Sequence, residues 1–217
     1  MHVWRWLCGF LTVLLVASVA SAGDLKIAFT DKEVRVEGLT PGGQAVWLSV
    51  AREKPSWITS IVRRDGFVAD DDKDGQVRIE YDDALSRNSA WVVVDFETGD
   101  YAFATPEGMN WREVDFPAKA LARDTAGAAK GFVAKRGFVE LLFVRPGIGA
   151  WGLPVCDGSV TDEDRPTQGV LQVSLSRLRP LKGTAADTAP EAANVGDVMA
   201  AIDVDHHDVM VVRLGAQ

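Results

Sequence analysis

Apolar and polar residues alternate along much of this chain, in short runs separated by turn residues. Residues 33–37 and 76–81 alternate strictly, which predicts strands that bury one face and expose the other. The run 44–52 is apolar on both sides, and this pattern predicts a central strand that is covered on both faces. The first half of the chain is therefore expected to consist of short antiparallel strands.

Runs of this kind recur through both halves of the chain. We assign strands to residues 25–29, 33–37, 44–52, 57–62, 67–69, 77–81, 90–96 and 101–104, and then to 138–144, 150–156, 170–175, 198–202 and 209–214. No run with the helical period is long enough for an amphipathic helix. The pattern predicts an all-β protein, in which an immunoglobulin-like β-sandwich is followed by a second, smaller antiparallel β region.

The N-terminal segment has the composition of a secretory signal peptide. Arg5 precedes an apolar run over residues 7–19, and the small residues Ala20, Ser21 and Ala22 precede a polar start. The apolar run is too short to span a bilayer. We therefore expect residues 1–22 to be removed, the protein to be exported to the periplasm or the cell exterior, and the mature chain to lack a membrane span.

The remaining chain divides by composition into three parts. Residues 24–105 carry the predicted sandwich, and residues 132–217 carry the second β region. Residues 106–131 lose the strand period and become rich in alanine towards their end, so we interpret them as a connector. Residues 181–196 form a low-complexity, alanine-rich loop that we expect to be mobile.

Three features of residues 24–105 are typical of one class of β-sandwich module. They are the turn sequence Gly38-Leu39-Thr40-Pro41-Gly42, Trp47 in the predicted central strand, and the acidic stretch 69–77. With these features, residues 24–105 resemble the bacterial immunoglobulin-like or fibronectin-type modules of exported proteins. The resemblance implies a β-sandwich fold and a role in binding or architecture. It transfers no catalytic residue.

The charge of the chain narrows the classes of partner. The formal net charge is −8, and removal of residues 1–22 takes away Arg5 and no acid, which gives −9. Such an acidic chain argues against binding to nucleic acid or to anionic lipid, since both need clustered Lys and Arg. Only Cys156 of the two cysteines remains in the mature chain, so an intrachain disulfide is excluded there.

The strongest candidate for a site is the acidic turn at residues 70–75. Asp70, Asp72 and Asp74, followed by Gly75, match the first half of an EF-hand calcium loop, in which alternate carboxylates converge on the ion. The match then ends, because the twelfth position, where the loop needs a bidentate acid, is Tyr81. We interpret the stretch as a hairpin loop that binds calcium through the three aspartates and the backbone carbonyl of Gln76, or as a solvated acidic hairpin.

Two other acidic stretches carry ligand-type side chains. Residues 157–164 contain four acids, which either complete the calcium site, form a separate site or make a charged surface loop. Residues 203–208 contain three aspartates and two histidines, and these are either ligands for a transition metal or the polar tip of a hairpin.

The remaining candidates have simpler structural explanations. Residues 147–152 match the glycine pattern of dinucleotide-binding proteins, but a proline follows where a helix must begin, so we interpret them as a glycine-rich hairpin. Cys156 lies in an apolar run and is interpreted as a buried thiol. Trp57 and Trp111 adjoin polar stretches and are either core residues or a platform for a glycan or peptide.

No residue pattern typical of a known catalytic motif is present. We therefore expect an exported, non-enzymatic β-sandwich protein with a binding or structural role, stabilised by calcium and directed at a protein or glycan ligand. The alternative is a secreted hydrolase that acts on polysaccharide or peptide with carboxylates from residues 70–74 and 157–164.

Overall fold

A computed structural model gives the architecture of most of the chain. It describes residues 20–22, 24–30, 32–53, 60–80, 89–106, 111–113, 126–130, 139–152, 170–175, 178–203 and 207–215. The strands, in chain order, are β1 (Ala20–Ala22), β2 (Lys26–Phe29), β3 (Glu33–Glu37), β4 (Gln44–Glu53), β5 (Ser60–Ala69), β6 (Gln76–Glu80), β7 (Ser89–Asp95), β8 (Tyr101–Ala104), β9 (Arg112–Glu113), β10 (Ala126–Lys130), β11 (Val139–Arg145), β12 (Gly149–Gly152), β13 (Val170–Ser174), β14 (Arg179–Pro180), β15 (Val198–Asp203) and β16 (Asp208–Arg213). The described residues contain no α-helix, which confirms the all-β class.

A five-stranded antiparallel sheet lies at the centre of the first half, in the order β1-β8-β7-β4-β5. β4 pairs with β5 on one side and β7 on the other, as the apolar pattern on both of its faces predicts. β7 is buried along its whole length. Both faces of this sheet must therefore be covered by other elements.

A three-stranded sheet, β2-β3-β6, covers one face of the five-stranded sheet. Alternate residues of its strands, such as Val34 and Val36 in β3, are buried, and the residues between them face outward. The core between the two sheets includes Trp91, whose ring stacks on that of Trp47 with centroids 5.5 Å apart. These two sheets form the first pair of packed layers.

A six-stranded sheet, β14-β12-β11-β15-β16-β9, covers the other face of the five-stranded sheet. Even-numbered residues of β11, Leu142 and Val144, face Leu48 and Val50 of β4 across a shared apolar core. These three sheets thus form a stack, in which the five-stranded sheet is the middle one and lies between the other two. This second core takes side chains from residues 24–105 and from residues 132–217. The division of the chain into these two parts stays a prediction.

The alanine-rich loop lies over the outer face of the six-stranded sheet, and the mobility expected of it stays a prediction. Ala186, Ala189 and Ala193 pack against the core on the outer face of that sheet, and the Trp151 indole donates a hydrogen bond of 2.9 Å to the Thr188 carbonyl. Small side chains allow the loop to lie close to the sheet.

The acidic turn does not close a hairpin, which corrects the sequence interpretation. β5 pairs with β4 in the five-stranded sheet, whereas β6 pairs with β3 in the three-stranded sheet. Residues 70–75 therefore cross from one layer to the next. β5 is also a single strand of ten residues, although the polar residues Arg63, Arg64 and Asp65 had suggested two separate runs.

The predicted connector at 106–131 contains two short strands. β10 pairs with β13 as a separate two-stranded sheet, and β9 pairs in parallel with β16 at the edge of the six-stranded sheet. Alanine and glycine dominate β10, so periodicity gave no signal for it.

Candidate metal centre

Asp70 anchors the acidic turn where β5 ends. The residue is only 3% exposed. Its carboxylate accepts hydrogen bonds from the backbone N–H groups of Gly42 at 2.9 Å, Gly75 at 2.8 Å and Asp74 at 3.2 Å. Gly75 has a φ of 76°, a backbone conformation that favours glycine, and Asp70 holds it in place. Asp70 thereby joins the turn after β5 to the turn before β4.

Asp72 and Asp74 stand beside Asp70 on the exposed side of the turn. One carboxylate oxygen from each of the three aspartates lies within 4.8 Å of the other two, and no other described group of three ligand-type side chains converges in this way. Asp74 also accepts a hydrogen bond of 2.8 Å from the Gln76 N–H. The structure thus brings together the three aspartates that the sequence singled out.

The pKa values of Asp70 and Asp72 are shifted in opposite directions. Hydrogen bonds from backbone N–H groups, that of Gly42 first, lower the pKa of Asp70. The pKa of Asp72 is raised by its side-chain hydrogen bond with Asp70 and by the nearby charge of Asp74. A proton on Asp72 therefore relieves repulsion in the turn, and a bound cation would relieve it in the same way.

The donor set is all oxygen, and it suits a hard cation such as calcium. A carboxylate has about four lone-pair sites, and Asp70 uses three of them for backbone N–H groups. Asp72 and Asp74 would supply the remaining protein ligands at an ion held here. Residues 157–164, which were expected to complete the site, lie outside the described residues, and the carbonyl of Gln76 stays a predicted ligand.

Asp95 plays a structural role that the sequence analysis missed. One carboxylate oxygen accepts the N–H of Thr40 at 2.7 Å and its hydroxyl at 2.8 Å, and the other accepts the N–H groups of Glu97 at 2.8 Å and Thr98 at 3.3 Å. The turn at residues 40–43 is thus held between Asp95 and Asp70. An aspartate followed by turn residues at the end of a strand is the signal that could have revealed this role.

The glycine-rich segment 147–152 is the hairpin between β11 and β12, as the sequence analysis interpreted it. Gly147 has a φ of 69° in the turn. A Cβ on Gly149 would meet Thr184 and Trp151, and a Cβ on Gly152 would overlap the guanidinium group of Arg63. Close packing in the hairpin accounts for these glycines without a nucleotide.

The acidic tip at 203–208 is partly described. Asp203 and Asp208 face each other across the β15–β16 pair, and both are buried. His207 has a φ of 57° and lies against the ring of Trp111, with centroids 4.8 Å apart. The histidine thus makes a ring contact, and its role as a metal ligand stays a prediction. Cys156 and Trp57 lie outside the described residues.

Two ion pairs with buried carboxylates were not evident from the sequence. Arg63 of β5 donates to Glu140 of β11 at 2.9 Å and to Asp65 at 2.6 Å. Arg145 binds both oxygens of Asp197, at 3.0 and 2.8 Å, and this hydrogen bonding raises its pKa. Both interactions join residues that are far apart in sequence, so no local motif reveals them.

Comparison with known proteins adds no identity. No protein-family model, no curated protein and no solved structure matches this chain. Within the described residues, no helix has the length and apolar character that crossing a membrane requires. Function must therefore be argued from the residues themselves.

Proposed function

We propose that this protein is an exported, non-enzymatic β-sheet scaffold with a binding or structural role, and that its acidic turn holds a calcium ion. The observation that carries the proposal is the convergence of Asp70, Asp72 and Asp74 on the turn that links two sheets. An ion at this position would hold β5 and β6 in place at their junction. We also propose that residues 24–105 form an immunoglobulin-like sandwich.

The way in which the described carboxylates are used supports a structural role. Asp70 and Asp95 accept backbone N–H groups from turns, and Asp197 binds Arg145 together with the N–H of Asn194. Each of these carboxylates is engaged by hydrogen bonds that hold a turn or an arginine side chain in place.

Calcium is tested by thermal unfolding of the protein in chelator and then in millimolar calcium. A partly built oxygen site is expected to bind with a dissociation constant on the order of 10⁻⁴ to 10⁻³ M. At a few-fold excess of calcium over that constant, binding stabilises the fold by roughly 1 kcal/mol, which raises the melting temperature by a few degrees.

Asp72→Ala should abolish this rise, whereas Asp71→Ala should keep it. Asp71 is exposed, carries the same charge and stands next in sequence, but its carboxylate is not part of the converging group. The Asp71 variant therefore controls for the loss of a charge. An equal rise in both variants, or no rise in the unsubstituted protein, would exclude the calcium site.

Export is tested separately by N-terminal sequencing of the protein recovered from cells. A chain that begins at Gly23 supports cleavage after Ala22, and such a chain would lack β1, the strand that pairs with β8 at one edge of the middle sheet. A chain that retains residues 1–22 in the cytoplasm contradicts the export part of the proposal and leaves the calcium result unaffected.

A further inference from the structure

Residues 20–22 form β1, which covers one edge of the five-stranded sheet. β1 pairs antiparallel with β8, and β8 pairs with β7 on its other side. In the part of the chain that the structure describes, no other strand lies beyond β8 at this edge. Cleavage after Ala22 would remove the whole of β1. The backbone N–H and C=O groups of β8 that now pair with β1 would then form an open edge.

β8 lacks the side chains by which proteins usually protect an open edge. Its sequence, Tyr101-Ala102-Phe103-Ala104, contains no charged residue and no proline. Charges and prolines on an edge strand hinder pairing with another chain, and an element that covers the edge also prevents it. β5, at the opposite edge of the same sheet, carries three charged residues at positions 63–65. β8 thus depends on a covering strand, and cleavage removes the one that it has.

A second copy of the cleaved chain has a strand that matches this edge. Two β8 strands that pair antiparallel in one continuous sheet are related by a two-fold axis perpendicular to that sheet. With Ala102 at the axis, Tyr101 of each copy lies opposite Phe103 of the other, so two aromatic pairs form and no charged residues of β8 meet. In the uncleaved chain, β1 places Ala22 and Ala20 at the same two positions. A second copy therefore offers larger cross-strand contacts than β1 does.

We propose that loss of residues 1–22 opens the β8 edge and that two copies of the chain then pair antiparallel through β8. The inference rests on the proposed cleavage after Ala22. Only the four residues of each β8 strand take part, so the dimer is weak, and the acidic charge of each copy opposes it at low salt. In the uncleaved chain β1 occupies the edge and prevents this pairing.

Two chains that differ by three uncharged residues test this pairing. Residues 20–217 include every residue that the structure describes, whereas residues 23–217 lack only β1 from that set. Sedimentation equilibrium with chelator and reducing agent, in about 0.15 M salt to screen the acidic charge, measures the dimer dissociation constant of each chain. The constant of the 23–217 chain should be lower by a factor of at least about ten. Hydrogen exchange should show protection of β8 amides that rises with protein concentration in the 23–217 chain alone.

A charge on the edge strand gives an independent measurement in the 23–217 chain. Tyr101→Lys removes both aromatic pairs and places a lysine on β8, so this variant should be monomeric. Gln44→Lys adds the same charge at an exposed position of β4, an inner strand, and should leave the dimer unchanged. Circular dichroism establishes that each variant folds. If Tyr101→Lys does not fold, the comparison of the two chains still decides the question.

The inference is overturned by a 23–217 chain that is monomeric or unfolded, by equal dimerisation of the two chains, or by equal association of the two folded lysine variants. N-terminal sequencing of the cellular protein separates it from the proposed export. A protein that retains residues 1–22 contradicts export, and with it the loss of β1 in the cell, whatever the 23–217 chain does. A protein that begins at Gly23, together with a monomeric 23–217 chain, contradicts the pairing alone.

Discussion

Arg63 and Glu140 form a buried ion pair that joins the middle sheet to the six-stranded sheet, with a guanidinium-to-carboxylate distance of 2.9 Å. Their side chains are 2% and 6% exposed. A buried charge is tolerated only when its partner is in place, because the desolvation of either ion costs several kcal/mol. The pair therefore fixes how the two sheets meet.

Glu140→Ala should destabilise the protein by about 3–5 kcal/mol, because it removes one of the two carboxylates that Arg63 binds and leaves the buried guanidinium group beside a cavity. Chemical denaturation followed by tryptophan fluorescence measures the free energy of unfolding. Glu33→Ala serves as the control. It removes two solvent-accessible ion pairs of 3.7 Å, with Arg35 and Arg78, and its cost should stay below about 1 kcal/mol. Equal costs for the two variants would contradict a special role for the buried pair.

Gly152→Ala should destabilise the protein more than Gly147→Ala. A Cβ at residue 152 would overlap the guanidinium group of Arg63, and overpacking of this kind costs about 1–3 kcal/mol. Gly147 has open space around its Cβ position, so alanine there meets only the backbone cost of its φ of 69°, about 1–2 kcal/mol. The two midpoints of urea denaturation give the comparison. If Gly147→Ala costs more, packing does not explain the glycine pattern.

A fragment of residues 24–105 tests the division of the chain. The sequence had led us to expect this part to fold alone, but Val46, Leu48, Val92 and Phe103 pack in a core shared with the six-stranded sheet. We now expect the fragment to keep its first core and to associate through the exposed apolar face. Size-exclusion chromatography and amide exchange measure the two properties. A monomeric fragment with full protection would show that the second core is dispensable.

Local patterns predicted the strands but not the way in which they join. The double-sided apolar run in β4 identified a central strand, and the two apolar runs on either side of the polar residues 203–208 identified a hairpin. Turn residues, however, look the same whether the next strand pairs with its predecessor or enters another sheet, so the crossing at residues 70–75 was not foreseen. Arg63 and Glu140 are 77 residues apart, and their pairing depends on the stacking of two complete sheets.

The candidate site was partly visible in the sequence. The spacing of Asp70, Asp72 and Asp74 indicated that they converge, and the structure places their oxygens together. The spacing did not show that Asp70 serves mainly as an acceptor for backbone N–H groups, one of which comes from Gly42 in a different turn. A residue's role in holding a turn depends on contacts between distant segments.

Asp72→Asn should raise the stability of the calcium-free protein at neutral pH. Because the pKa of Asp72 is raised above 3.8 in the folded protein, the folded state binds this proton more tightly than the unfolded state does. The stabilisation that protonated Asp72 gives to the folded state is complete below pH 3.8, and it is lost as the pH rises through the pKa of Asp72 in the folded protein. At neutral pH the ionised side chain therefore opposes folding, and asparagine removes that repulsion.

Asp70→Asn should have the opposite effect, because its pKa is lowered in the folded protein. The stabilisation that ionised Asp70 gives to the folded state is complete above pH 3.8, and it is lost as the pH falls through the pKa of Asp70 in the folded protein. The variant lacks this stabilisation and should therefore melt at a lower temperature at pH 7. Melting curves in chelator between pH 3 and pH 7 measure both variants, with Asp71→Asn as the control for net charge. The stabilisation by Asp72→Asn should shrink towards pH 3, where both states of the parent protein carry the proton. A gain that is independent of pH, or one that Asp71→Asn reproduces, would show that repulsion at Asp72 is not its cause.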